Sequence, residues 1–393
     1  MKLSKWRTFA EIFAVATRLG FTSFGGPAAH LGYFHEEYVR RRKWLDEKSY
    51  ADLVALCQFL PGPASSQVGI GIGIMRGGIW GGIVAFLGFT FPSAVALMIF
   101  ALILKNANLE DGGWIHGLKI VAVAVVANAI RDMAHKLTPD RRRKLIAVGS
   151  LVITLLWQSA FSQVVVILMA AVIGFLFYKN KKNFQQMSIH VPISSRFAII
   201  CLLLFFSLLF TLPLLKSLTS SHWIGMIDSF YRAGALVFGG GHVVLPLLER
   251  EFVPAGLLSE EKFLAGYGAA QAVPGPLFTF AAYIGAAMSG WTGGMVATAA
   301  IFLPAFLLIF GTLPFWGKLR SNPNINGALL GVNAAVVGML ISAFYQPIWT
   351  SSILQPIDFA FAAILFSMLA YWKIAPWIIV LTGALGGTFL SIL

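Results

Sequence analysis

Charged side chains and cysteines are both scarce in this chain. Its 393 residues include 16 Asp and Glu, two Cys and seven His, and charged residues amount to 11%. Cys57 and Cys201 lie in separate apolar stretches without metal-ligand spacing, so they read as buried thiols and not as a disulfide, a redox pair or a metal centre. Glu37, Asp46, Glu47, Glu251 and Glu260 cluster near expected loops. The repeat-equivalent midplane positions described below offer Gln, Ser, Thr and Gly but neither a carboxylate pair to hold a metal nor a Ser/His/Asp set, which argues against an enzyme such as a phosphotransferase or hydrolase. No cofactor and no metal are expected.

Apolar surface is what the chain has in excess. Hydrophobic residues make up 58%, mean hydropathy is +0.79, and charge-free runs such as 77–104 and 263–317 identify an all-α polytopic membrane protein. An aromatic content of 13% is ordinary for membrane belts and packing. The N-terminal stretch starts basic and turns apolar, but Glu11 and Arg18 interrupt it and no small-residue cleavage site follows, so no cleaved signal peptide is expected. The net charge of +13 sits in short clusters, at Lys2, Lys5 and Arg7, at 40–43, at 141–144 and at 179–182, and not along one face. Positive-inside placement in a multi-pass cell (inner) membrane protein accounts for it, and a nucleic-acid partner is not expected.

The chain repeats itself. Residues 17–39 align with 231–253 at an offset of 214: Arg18 falls on Arg232, Gly20 on Gly234, Phe24, Gly25 and Gly26 on Phe238, Gly239 and Gly240, and Glu37 on Glu251. With a shift of one residue, Gln58 and Pro61, Gly62, Pro63 meet Gln271 and Pro274, Gly275, Pro276; with one more, Pro92 meets Pro304. The expected organisation is a first repeat over 1–178, a linker and one inverting helix over 179–221, and a second repeat over 222–393.

Charge then suggests topology. Lys and Arg number 21 before residue 196 and 8 from Arg196 onward. With the basic clusters cytoplasmic, 9–39 and 50–75 must enter the membrane and return. The arms flanking Pro-Gly-Pro are about 11–12 residues, or roughly 17 Å as helix, enough to reach mid-membrane. Full spans are expected near 79–104, 114–135, 145–160 and 163–178, and one more at 197–215 delivers the second copy to the opposite face. The counterparts of the two RRRK clusters in the second copy are uncharged, as inversion requires. Two inverted-topology repeats with broken, re-entrant helices meeting at a midplane site are the pattern of secondary transporters.

Breaks in a membrane helix expose unpaired amides and persist where they face protein, water or a ligand. Proline at a helix start loses no hydrogen bond, so Pro63 and Pro276 can open arms whose amides point at the membrane centre, where the helix dipole favours an anion. Around the first break the candidate binding residues are Gln58, Gly62, Ser65, Ser66 and Gln67; around the second they are Gln271, Gly275 and Thr279. The Phe-Gly-Gly breaks add Ser23, Gly25 and Gly26 in one copy and Gly239, Gly240 and His242 in the other. His30 and His242 do not align and each alone reads as a packed or capping histidine, with His242 favoured because it follows directly on FGGG. Arg18 and Arg232 either neutralise a bound anion or pair with Glu37 and Glu251; of the two, Arg18 has the more polar company and is the favoured anion contact. Such a pocket suits a tetrahedral oxyanion.

The motifs FGGP, QFLPGPASSQVGIGIG and GGIWGGIVAFLGFTFPS, with VFGGGHVVLPLLEREFV and AAQAVPGPLFTFAAYIG in the second copy, resemble the chromate ion transporter family in its long, two-domain form. The resemblance covers roughly 10–178 and 222–393. It implies transport of chromate, a mimic of sulfate, commonly as export that confers resistance. A sulfate or other oxyanion channel or uptake carrier stays open as an alternative, and so does a homodimer as the assembled form.

Overall fold

The computed structural model describes residues 5–24, 26–106, 113–157, 160–178, 193–219, 221–238, 244–316 and 323–391, and among them every regular element is helical. In hydrocarbon a single chain satisfies its backbone most readily this way. The first half contributes α1 (Lys5–Thr22), α2 (Gly26–Phe34, continued by a π-helical turn His35–Arg41), α3 (Glu47–Phe59), α4 (Ala64–Asn106), α5 (Gly113–Leu137), α6 (Arg141–Leu156) and α7 (Ala160–Phe177). After α8 (Ser195–Leu218) come α9 (His222–Leu236), α10 (Val244–Phe252), α11 (Glu260–Ala272), a 3₁₀ turn Leu277–Thr279 leading into α12 (Phe280–Thr312), α13 (Pro323–Ala343), α14 (Pro356–Ala370) and α15 (Pro376–Leu390).

Five stretches among the described residues are long and apolar enough to cross a membrane: Ala64–Lys105, Gly113–Leu137, Ser195–Leu218, Leu277–Phe315 and Gly327–Ser352. The spans expected near 79–104, 114–135 and 197–215 fall on α4, α5 and α8. Those expected at 145–160 and 163–178 correspond to α6 and α7, which are shorter than the five stretches above. α6 begins at Arg141 because Asp140 caps it: its Oδ1 accepts from Arg143 N at 3.0 Å and its Oδ2 from Arg143 Nε at 2.5 Å. The Arg143 backbone N–H is the main cause holding this carboxyl down at about 2. The Tyr178 hydroxyl donates to the same carboxylate and ties the end of α7 to the start of α6. Most of the expected linker, 179–192, lies outside the described residues.

The repeat is visible in the caps and kinks. Asp46 caps α3 through Lys48 N and Ser49 N, and at the aligned position Ser259 caps α11 through Lys262 N. Within α4, Gly77 and Gly78 leave helical geometry, Gly78 with φ +66° and ψ −161°; within α12, Ser289 and Gly290 do the same, Gly290 with φ +64° and ψ −156°. These φ values favour glycine. Each kink folds one arm back on the next at backbone contact. A Cβ added to Gly73 would lie 2.4 Å from Gly81 O, and one on Gly285 would lie 2.2 Å from Gly293 O.

The halves also exchange their last helices. Gly117 on α5 meets Gly383 on α15, where an added Cβ would stand 2.0 Å from the carbonyl oxygen; Gly331 on α13 meets Ala170 on α7 at the same distance. Small residues allow this approach, which replaces the hydrophobic effect as the source of helix association in lipid.

Candidate functional site

Each Pro-Gly-Pro break meets the residue just before the Phe-Gly-Gly motif of the other copy. Gly62, in the first Pro-Gly-Pro, donates its N–H to Val237 O, just before the second Phe-Gly-Gly, at 2.6 Å. Gly275, in the second Pro-Gly-Pro, donates to Ser23 O, just before the first Phe-Gly-Gly, at 2.9 Å. Ser23 and Val237 occupy aligned positions, so the two bonds are one contact made reciprocally. Gly62 at φ +110° and Gly275 at φ +104° hold backbone conformations that disfavour a side chain. The neighbours match too: an added Cβ at Gly275 would stand 2.8 Å from Ser93 Oγ, and one at Gly62 would stand 3.8 Å from the Cβ of the aligned Ala305.

Polar side chains gather at these junctions and are buried. Ser23, Ser65, Ser66 and Gln67 are all at most 2% exposed, as are His30, Thr90 and Ser93. His30 Nδ1 is 3.2 Å from Ser65 Oγ, its ring stacks edge-on against Phe89, and its Nε2 has no protein partner. Gln67 Nε2 donates to Pro61 O at 2.8 Å and so braces the break. Ser93 Oγ donates to Thr90 O at 3.0 Å. The hydroxyls of Ser23, Ser66 and Thr90 and the Oε1 of Gln67 are buried without a partner. Pro63 opens the first arm of α4: Gln67 N is bonded to Pro63 O, so the amides of Ala64, Ser65 and Ser66 precede the first bonded turn and point out of the helix end. Each buried polar group left unsatisfied costs about 1–3 kcal/mol, so a cluster of them in one place calls for a ligand or water.

The other candidates are distributed as follows. Gln58 is exposed on α3, while Gln271 is half-buried beside Tyr267. The Thr279 hydroxyl donates to Pro276 O at 2.7 Å. Gly26 is half-buried with φ +77°. Gly25, Gly239, Gly240 and His242 lie outside the described residues. Arg18 and Arg232 each face the aligned glutamate of their own copy, Arg18 at 3.8 Å from Glu37 and Arg232 at 3.3 Å from Glu251. Glu37 also binds Arg41 and Arg42, and Arg232 also binds Asp228. Both arginines thus have carboxylate partners, and the Arg18 side chain is 55% exposed. Among the described residues, those at the junctions themselves include no lysine, arginine or carboxylate.

A matching geometry in both halves is what a family built from two copies of one domain displays, and the chromate transporter family matches residues 10–175 and 224–388. The chain belongs to the chromate transporter family. A chromate transport protein of Cupriavidus metallidurans is 30% identical over 343 residues, covering 86% of this chain and 82% of the relative. One from Pseudomonas aeruginosa is 26% identical over 343 residues, 85% and 79% of the two chains. An uncharacterised transporter of Methanocaldococcus jannaschii is 27% identical over 341 residues, 84% and 82%. No solved structure matches the chain.

For this chromate transporter family member, three residues of the cluster were not among the sequence candidates: His30, Thr90 and Ser93. A signal was present. Comparing the two copies position by position sets them against Val244, Phe302 and Ala305, so they are polar where an apolar residue serves the same packing role.

Proposed function

We propose that the chain is a secondary transporter of a tetrahedral oxyanion, chromate first and sulfate as its analogue, moving chromate outward across the cell (inner) membrane. The observation that carries this reading is the reciprocal pair of hydrogen bonds joining the Pro-Gly-Pro break of each copy to the residue before the Phe-Gly-Gly motif of the other, with buried unpartnered donors beside them. Family membership and the names of the relatives support chromate as the substrate. A dianion brought to mid-membrane loses a large hydration energy. Helix N-termini, hydroxyls and amides oriented before it arrives replace its water shell, and each helix end contributes about half a unit of positive charge.

In this reading the repeats are inverted about an axis in the membrane plane, and the arms flanking each Pro-Gly-Pro are re-entrant. Reciprocal contacts are what a two-fold relation between copies requires, and the uncharged counterparts of the basic loops supply the direction. Rocking of one repeat against the other opens the seat to either side in turn. Coupling to a hydrolysed cofactor is not part of the mechanism.

Two measurements test it. Purified protein in proteoliposomes shows saturable radiolabelled chromate flux, accelerated by sulfate or chromate on the opposite side; linear, non-saturating flux identifies a channel, and no flux refutes the reading. Single cysteines in the 40–43 and 254–257 loops, in a chain with Cys57 and Cys201 replaced, label from opposite sides with an impermeant thiol reagent, and labelling from one side refutes the inversion.

A further inference from the structure

We propose that the oxyanion seat is one-sided: Ser23, His30, Ser65 and Ser66 of the first copy hold the anion, His30 positions it, and the matching space in the second copy holds none. This rests on the reading of the chain as an oxyanion carrier and specifies where that anion sits. The repeat supplies an internal control, because each polar position has an aligned partner in the same fold. Against Ser23, His30, Ser65, Gln67 and Thr90 the second copy sets Val237, Val244, Phe278, Phe280 and Phe302.

The second-copy side chains are packed shut. Val237, Val244, Phe278, Phe280 and Phe302 are at most 1% exposed, Phe278 contacts Phe302, and Phe280 packs against Phe263, Tyr267 and Tyr283. Thr279, which stands opposite Ser66, directs its hydroxyl to Pro276 O. Rings occupy what would be the second seat.

In the first copy, by contrast, Ser23 Oγ, Ser66 Oγ and His30 Nε2 are buried with no protein partner. Ser66 lies in the first turn of α4 and His30 reaches that turn through Ser65, with the Ser23 backbone beside His30; the first arm of α4 offers the amides of Ala64, Ser65 and Ser66. Ser65 Oγ lies 3.2 Å from Nδ1; in the tautomer in which that hydroxyl donates to Nδ1, Nε2 carries the ring proton and is the donor presented to a ligand. The second copy reaches this seat through backbone, since Gly275 N is bonded to Ser23 O and Gly275 lies against Ser93. Movement of the second repeat is thereby transmitted to the seat.

The test is chromate flux in proteoliposomes with the full chain, alongside equilibrium binding and thermal melting. His30→Val, which installs the residue found in the second copy, raises the half-saturating chromate concentration tenfold or more with a smaller change in maximal rate and an unchanged melting profile. His30→Gln, which restores an N–H donor, recovers part of that loss. Ser66→Ala shifts half-saturation in the same direction and removes only a hydroxyl, so it decides the matter should His30→Val fold poorly. Wild-type protein binds one chromate per chain. Two chromates per chain, or wild-type half-saturation in His30→Val or Ser66→Ala, overturns the one-sided seat while leaving transport intact; absence of wild-type binding and flux removes the oxyanion reading itself and the seat with it.

Discussion

Replacing Pro61, Gly62 and Pro63 together by alanine reduces chromate flux at least tenfold while the protein still reaches the membrane. Proline disfavours the helical conformation in the residue before it and fixes its own φ, so Pro61 and Pro63 stop α3 and start α4. Gly62 at φ +110° makes the passage between them, and alanine there is strained by roughly 1–3 kcal/mol. Three alanines favour helix through this point and draw the amides of Ala64, Ser65 and Ser66 into intrahelical bonds. The anion then loses the helix end and Gln67 loses the Pro61 carbonyl in its present place. Gly62→Ala alone gives a smaller decrease, because its Cβ arrives 3.2 Å from Gln67 Nε2, which can give way. Flux per membrane-inserted molecule, measured for both variants in proteoliposomes, orders them wild type, single, triple; wild-type flux in the triple variant contradicts the role assigned to the break.

Gly285→Leu prevents accumulation of the folded protein or lowers its melting temperature by roughly 5 °C or more, the consequence of overpacking a site with no room. The two arms of α12 touch backbone to backbone here. A Cβ on Gly285 would be 2.2 Å from Gly293 O and 2.6 Å from Ala297 Cβ, and neither is the free end of a flexible side chain. Gly225→Leu is the control. An added Cβ at Gly225 meets nothing within 4 Å, and leucine is the better helix former, so its melting curve stays at or above that of wild type. Melting of the detergent-purified variants separates a packing requirement at Gly285 from a general intolerance of leucine for glycine.

Much of the architecture was legible because the chain states it twice. A single Pro-Gly-Pro reads as a kink, but Pro61, Gly62 and Pro63 with Gln58 upstream, matched by Pro274, Gly275 and Pro276 with Gln271, read as a conserved interruption within one molecule. The helix ends needed more than hydropathy. Asp140 moved the start of α6 to Arg141 by capping, a local hydrogen-bonding effect that a charge count hides. At the proposed seat, Ser65, Ser66 and Gln67 were read as candidates from their place in the first turn after a proline, and the structure buries all three.

His30 was set aside because a lone histidine on an apolar segment ordinarily packs or caps, and nothing in the chain order places it beside Ser65, 35 residues on. Only the fold makes that pair. Arg18 shows the reverse difficulty. Its sequence neighbours Thr17, Thr22 and Ser23 make it look like a counter-charge, whereas the folded chain sets it opposite Glu37 in an arrangement repeated by Arg232 and Glu251. Pairing each arginine with a carboxylate limits the cost of placing charge near an apolar environment, and it leaves the proposed seat to neutral donors.

The most direct test is the position of chromium in crystals of the protein soaked with chromate, located by its anomalous scattering. The account predicts one chromium peak per chain, placed so that the chromate oxygens around it lie within hydrogen-bonding distance of Ser66 and His30, beside the amides of Ala64, Ser65 and Ser66. A peak instead against Arg18 or Arg232, or a second peak of equal height among Phe278, Phe280 and Phe302, would contradict it.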